Sequence, residues 1–243
     1  MKTNMQIKVN EMFGPTIQGE GKTAGKEVLF LRLVGCNLQC IWCDTPHTWN
    51  WEGTSFAHPE KFNRESETIA MSPEDILEEL RKLGDLKSLV ISGGEPLIQQ
   101  KALVPLLTLL REDDWWIEIE TNGTITPTDE IVALTDQFNC SPKLRNSENS
   151  RSSRIVRGAM EKFAKMDNTY FKFVISGVDD IPEIREYIKN FKLNKYRVFL
   201  MPLGKTREEL GMTSLRTASL AEELGLMYSD RLHIDMFGGK RGV

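Results

Sequence analysis

The segment GCNLQCIWCD, Gly35 to Asp44, places Cys36, Cys40 and Cys43 within eight residues, while the rest of the 243-residue chain holds one further cysteine, Cys140. Thiolate is a soft ligand that selects zinc, Cu(I) or iron–sulfur clusters. A closed structural zinc site wants four ligands. Here the fourth would have to be Cys140, far along the chain, or His47 just downstream. A 4Fe–4S cluster held by three cysteines instead leaves one iron open for a substrate or cofactor. Core thiols gathered by chance would be more widely spread. The spacing by itself leaves zinc and cluster both open.

Working outward, a length of 243 residues and a hydrophobic share of 40% suffice for one sizeable α/β domain. A net charge of −4 offers no global electrostatic footprint for nucleic acid. No apolar run approaches the roughly 20 residues of a membrane span, and MKTNMQIKVN lacks the apolar core of a secretory signal. The expectation is a cytoplasmic chain with neither nucleic acid nor membrane as partner. In a reducing compartment, clustered cysteines point to metal or catalysis rather than disulfides.

Beyond the cysteines, apolar β runs alternate with amphipathic helices, the pattern of βαβ units and a parallel sheet. MSPEDILEELRKLG predicts a helix with Ser72 as N-cap, Pro73 in the first turn and Asp75 at capping-box spacing. Ile76, Leu77, Leu80 and Leu83 form its apolar stripe, and Gly84 ends it. The run KSLVI then predicts a strand that delivers SGGEP, Ser92 to Pro96, to its C-terminal end, where barrel folds place their chemistry. A helix over 103–110 leads to the strand WWIEIETNG, then EIVALTDQ and FNCSPK. A helix over 153–165, the strand TYFKFVISG, DIPEIREYIKNF, YRVFLMP, a helix over 215–224 and a last strand LHIDMF complete the reading. This amounts to about six or seven βα units in a partial, open α/β barrel, one domain over 1–243. The polar, aperiodic stretch 48–70 reads as a loop insertion, and NSENSRSS (146–153) as a mobile surface loop.

The C-x3-C-x2-C pattern with Trp42 before its third cysteine resembles the signature of the radical S-adenosylmethionine enzymes, and SGGEP resembles their Gly-Gly-Glu-Pro segment. FGPTIQGEG (13–21), VLFLRLVGC with Arg32, CDTPHTW (43–49) and SPK (141–143) narrow the resemblance to the 7-carboxy-7-deazaguanine synthase family. It runs from the N-terminus through Lys143 and resumes at the C-terminal KRGV; the helices and strands between fit the fold without diagnostic residues. The resemblance implies an open α/β barrel of the radical S-adenosylmethionine type. It also implies conversion of 6-carboxy-5,6,7,8-tetrahydropterin to 7-carboxy-7-deazaguanine with loss of ammonia, in queuosine and 7-deazapurine biosynthesis. The implied cofactors are a 4Fe–4S cluster, S-adenosylmethionine and Mg²⁺. The implied partners are the small-molecule pterin, a flavodoxin-like or other electron donor and a second copy of the chain in a homodimer.

Carried over position by position, Cys36, Cys40 and Cys43 match the cluster ligands and Thr45 a magnesium ligand. Trp42, Asp44, Gly93, Gly94, Glu95, Ser141, Pro142 and Lys143 match the S-adenosylmethionine site, Trp42 and Asp44 through backbone. Ile17, Gln18, Gly19, Arg32, Ser92 and Val243 match the pterin site, and the planar fork of Arg32 suits a carboxylate. Pairing of Arg32 with Glu11 or Glu20 is the plainer reading of that residue. Cys140 reads as a buried thiol, and His47 and His58 as loop residues. Some relatives carry a histidine in the tail over the substrate; this chain ends GGKRGV, with His233 further upstream.

Overall fold

The computed structural model describes residues 5–243. Its strands are β1 (Ile7–Ile17), β2 (Glu27–Leu33), β3 (Ile69–Met71), β4 (Ser88–Gly93), β5 (Trp116–Thr121), β6 (Gln137–Cys140), β7 (Thr169–Ile175), β8 (Val198–Pro202) and β9 (Met227–Tyr228). They form one sheet in the order β3-β1-β2-β4-β5-β6-β7-β8-β9. From β2 to β9 every pairing is parallel, whereas β1 runs antiparallel to both β2 and β3. β3 and β9 are the free edges, so the barrel is open.

The helices are α1 (Pro73–Lys82), α2 (Gln100–Glu112), α3 (Asp129–Leu134), α4 (Arg151–Arg154), α5 (Arg157–Lys165), α6 (Ile181–Phe191), α7 (Arg207–Leu224) and α8 (Leu232–Phe237). α1 begins as its sequence dictates: the Asp75 amide donates to Ser72 Oγ at 3.1 Å and the Ser72 amide returns a bond to the Asp75 carboxylate. Ile76, Leu77 and Leu80 are its buried face.

The strands are two-faced, and this decides where chemistry can sit. On β5, Ile117 and Ile119 enter the apolar core against the helices, while Glu120 lines the barrel interior. The same alternation sets Phe138 and Cys140 against Asn139 on β6, and Phe171, Phe173 and Ile175 against Lys172 and Val174 on β7. On β2, Leu29, Leu31 and Leu33 face the core and Phe30 and Arg32 the interior.

Four expectations are corrected. LHIDMF is a helix, α8, not the last strand: β9 closes the sheet, and the chain then turns back so that the Leu232 amide donates to Gly19 O at 3.0 Å. The helix expected over 153–165 is two, because Ile155 and Val156 adopt extended backbone between α4 and α5. α7 starts at Arg207 rather than near Leu215, where Thr206 Oγ1 accepts the Glu209 amide. Finally, 146–153 is no loose surface loop, since Asn146 and Asn149 are bound to the cysteine segment.

Candidate active site

The C-terminal ends of the parallel strands open into a cavity of about 380 Å³. Cys36, Cys40 and Cys43 line it, on a loop closed by the Gly35 amide donating to Thr48 O at 2.8 Å. Burial raises all three thiols, Cys40 to about 11, so they ionise only if a cation compensates. Each sulfur accepts an N–H: from the Leu38 amide to Cys36, Asn149 Nδ2 to Cys40 and Trp49 Nε1 to Cys43.

No three His, Cys, Asp or Glu among the described residues are arranged to hold one metal ion. Three thiols spaced around a shared cavity fit the separate corners of a cluster better than a single zinc. Cys140 lies elsewhere: it is fully buried at the end of β6, in a position where a Cβ on Gly123 would come within 2.6 Å of its sulfur. It leaves the thiol set at three.

The end of β4 passes directly behind this loop. A Cβ on Gly94 would lie 2.1 Å from Gly35 O and 2.9 Å from Cys36 Cβ, and one on Gly93 would lie 2.2 Å from Leu33 O. Only glycine permits that approach, and the Gly93 φ of +138° is itself a glycine conformation. Glu95 does not reach the cavity. Fully buried, it accepts from the Leu97 amide (3.0 Å), the Asn122 amide (2.6 Å) and Thr121 Oγ1 (2.9 Å), bracing β4 against β5. Ser141 and Lys143 line the cavity beside Trp42, with Lys143 Nζ 2.9 Å from Ser141 Oγ and 5.6 Å from the Trp42 ring centre. Pro142 does not line it.

On the opposite side, Arg32 gives its Nε to Glu11 at 2.7 Å and stacks over Phe13. Among the described residues no hydrogen-bond acceptor engages its terminal amino groups. Phe13 and Phe30 are stacked, ring centres 5.0 Å apart, and both line the cavity. Ser92 Oγ donates to Glu120 at 2.7 Å. Thr45 lines the cavity with Oγ1 3.7 Å from Cys43 Sγ. Ile17, Gln18 and Gly19 line it as well, but the Gln18 amide is already engaged, donating to Glu118 Oε1 at 2.8 Å and accepting from the Glu20 amide. The tail residues Gly238 to Val243 form part of the wall, held by Arg241 on Glu67 at 2.9 Å.

Several cavity residues escape a reading by motif. Glu20 does not pair with Arg32; it pairs with Lys172 and with Arg231, and Arg231 also holds Asp44. Burial works against both carboxylates, but these cations outweigh it, leaving Glu20 well below its ordinary range and Asp44 at about 2. The Asp44 side chain is thus committed to Arg231. His47 is buried on the cavity wall, 3.9 Å from Glu11, with its Nε2 lacking a hydrogen-bond partner among the described residues. Burial lowers it to about 4. His58 reaches Cys43 O through Nε2 at 3.1 Å. His233 packs so tightly on Gly19 that a Cβ there would sit 2.1 Å from its Nδ1. The alternation in WIEIET and TYFKFVI was the available signal for Glu118, Glu120 and Lys172; nothing in the sequence marks Arg231.

Comparison with known proteins places this geometry in context. The Radical SAM superfamily profile matches residues 31–143. A 7-carboxy-7-deazaguanine synthase of Pyrobaculum aerophilum is 34% identical over 244 residues, covering 100% of each chain. One from Escherichia coli K12 is 34% identical over 212 residues, 83% of this chain and 86% of that one. The crystal structure of QueE from Escherichia coli superposes with a TM-score of 0.70 at 29% identity, over 93% of this chain and 94% of that one.

Proposed function

The chain belongs to the 7-carboxy-7-deazaguanine synthase family of the radical S-adenosylmethionine superfamily, and from that premise we propose how its cavity contracts the ring of 6-carboxy-5,6,7,8-tetrahydropterin. It is an enzyme of queuosine and 7-deazapurine biosynthesis, its open barrel is of the radical S-adenosylmethionine type, and its cofactors are S-adenosylmethionine and a 4Fe–4S cluster. No helix among the described residues is long and apolar enough to cross a membrane.

Cys36, Cys40 and Cys43 hold the cluster. When bound, the cluster and S-adenosylmethionine supply a radical that takes a hydrogen atom from the substrate. The chain's own residues bind, orient and exclude water. Gly93 and Gly94 let the cofactor's amino acid approach backbone, with Glu95 fixing that edge from behind. Ser141 and Lys143, with Pro142 between them in the chain, form the adjoining side, where the Lys143 ammonium suits a carboxylate, and Trp42 and Asp44 border the adenosyl portion. Arg32, with Nε spent on Glu11, offers its two terminal amino groups to the pterin carboxylate. The stacked pair of Phe13 and Phe30 offers an apolar contact for the heterocycle, flanked by Ser92, Ile17, Gln18 and Gly19, while Val243 closes the rim. The observation that carries this reading is that the thiols, the glycine edge and Arg32 all face one cavity.

Residues 1–243 act as one domain, with 48–70 an insertion that buttresses the cysteine loop through Trp49 and His58. Turnover draws electrons from an external donor, flavodoxin-like or other, and the active form is a homodimer. Anaerobic reconstitution with the carboxypterin, S-adenosylmethionine and a reductant tests the whole reading; mass analysis should find 7-carboxy-7-deazaguanine, and its absence rejects the assignment.

Mg²⁺ belongs to the same proposal, at Thr45. A single neutral hydroxyl holds Mg²⁺ weakly, because the ion keeps several waters unless further oxygens displace them. The metal therefore assembles with the substrate carboxylate. Magnesium should raise turnover, and Thr45→Val should blunt that response while iron content stays unchanged. A full magnesium response in the valine variant would remove Thr45 from the site.

A further inference from the structure

Two side chains outside the C-x3-C-x2-C spacing bring N–H groups within 3.3 Å of its sulfurs. Trp49 Nε1 lies 3.3 Å from Cys43 Sγ, and Asn149 Nδ2, from a segment 109 residues beyond its partner, lies 3.3 Å from Cys40 Sγ. The third sulfur, on Cys36, is served mainly by a backbone amide, that of Leu38 at 3.4 Å, with Asn122 Nδ2 further off at 4.0 Å and bonded more closely to Asn37 Oδ1 at 3.0 Å.

Both side-chain donors are held in place by other groups. Trp49 is 4% exposed, with Phe56 and His58 packed on its ring. Its single N–H, which normally finds a strong acceptor when buried, is directed at sulfur. The Asn149 amide cannot turn over, because its Oδ1 accepts the Gln39 amide at 2.8 Å. A flip would set an NH₂ against that N–H and an oxygen against Cys40. A neutral thiol is a weak acceptor, whereas a thiolate receives a charge-assisted bond of about twice the strength of a neutral one. Asn149 Nδ2 also lies 3.1 Å from Ser147 Oγ, so one of its two N–H groups serves Ser147 and the other, like the single N–H of Trp49, is left to a sulfur, where a charged ligand rewards it most.

Resting on the assignment of the three cysteines as cluster ligands, we infer that Trp49 and Asn149 are positioning residues that set the cluster's reduction potential. One-electron reduction adds one negative charge to the cluster and its sulfurs, breaks no bond and moves no proton. The electron comes from an external one-electron donor. N–H groups directed at the sulfurs stabilise the more negative, reduced state more than the oxidised one, so they hold the potential up. The insertion and the 146–149 segment thus adjust two separate corners of the cluster, and the family's cysteine pattern encodes neither.

The test is a potentiometric titration with dithionite, followed by electron paramagnetic resonance, on anaerobically reconstituted wild type, Trp49→Phe, Asn149→Ala and the double variant. Each single variant should shift the midpoint to more negative potential at unchanged iron and sulfide content, and the double variant should shift it further. If phenylalanine prevents loading, benzothienylalanine at position 49 keeps the bicyclic shape, lacks the N–H and should give the same negative shift. Loaded variants with the wild-type midpoint would overturn this inference alone. A reconstituted wild type without iron and sulfide would overturn the ligand assignment, and this inference with it.

Discussion

One wall of the cavity is a short loop whose three thiols accept neutral N–H donors; another is a chain of charges, Lys172–Glu20–Arg231–Asp44, drawn from distant parts of the polypeptide and ending beside Cys43. The first wall is incomplete by itself, since its buried thiols stay protonated until a cation joins them. The second is complete already: each buried cation meets carboxylates, and each carboxylate meets a cation. The difference separates a wall built to receive a group from a wall built to hold the barrel mouth in shape.

Breaking the first wall should have the largest effect. Alanine at Cys36, Cys40 or Cys43 should abolish nearly all iron and sulfide uptake, while Cys140→Ala, whose thiol faces the core rather than the cavity, should retain both in a metal and sulfide assay. Breaking the second should instead destabilise the fold. Arg231→Met leaves buried Glu20 with Lys172 alone and half-exposed Asp44 with no cation of its own, which costs about 3 kcal/mol, the low end for a broken buried pair. Urea unfolding would measure it. Arg241→Met, removing the half-exposed pair with Glu67, should cost less than about 1 kcal/mol by the same method. Equal losses from the two arginines would erase the distinction between the walls.

Between them, Arg32→Lys removes the planar fork and retains charge. It should cost about 1.5–3 kcal/mol of carboxypterin binding, a rise in KM of roughly 10- to 100-fold, with iron content unchanged. A variant with wild-type KM would place the substrate carboxylate elsewhere.

A pH dependence lies beneath the charged wall. Burial pushes Glu118 up from an ordinary 4.5 to about 7, despite donors from Thr23, Gln18, Gln137 and Asn139. The folded chain then keeps a proton that the unfolded chain has released. Its contribution to stability is full below about 4.5 and declines as pH rises to about 7. Asp44 has the opposite sign: its contribution is present above 3.8 and lost as pH falls toward about 2. Unfolding free energies of wild type and Glu118→Gln across the upper window should differ in slope, the variant losing that decline. Parallel slopes would show that Glu118 ionises normally.

The sequence by itself determined the family, the thiol loop, the glycine edge and the open α/β barrel, because each is written in contiguous residues. The cluster's ligands share one loop, SGGEP ends one strand, and the αβ alternation needs only local periodicity. It misread LHIDMF as a last strand, since six residues of alternating character fit a short helix as well, and β9 at the sheet's edge leaves that segment to turn back as α8. The tertiary structure alone brought Asn149 to Cys40, closed Trp49 onto Cys43 and joined Glu20 to Lys172 and Arg231 across 152 and 211 residues. Glutamate, lysine, arginine and asparagine are common surface residues, and nothing in their neighbours along the chain marks them as paired. Their partners follow from which strand ends lie side by side, and the burial of Leu31, Ile91, Ile119 and Phe173 on the other face of the sheet decides that.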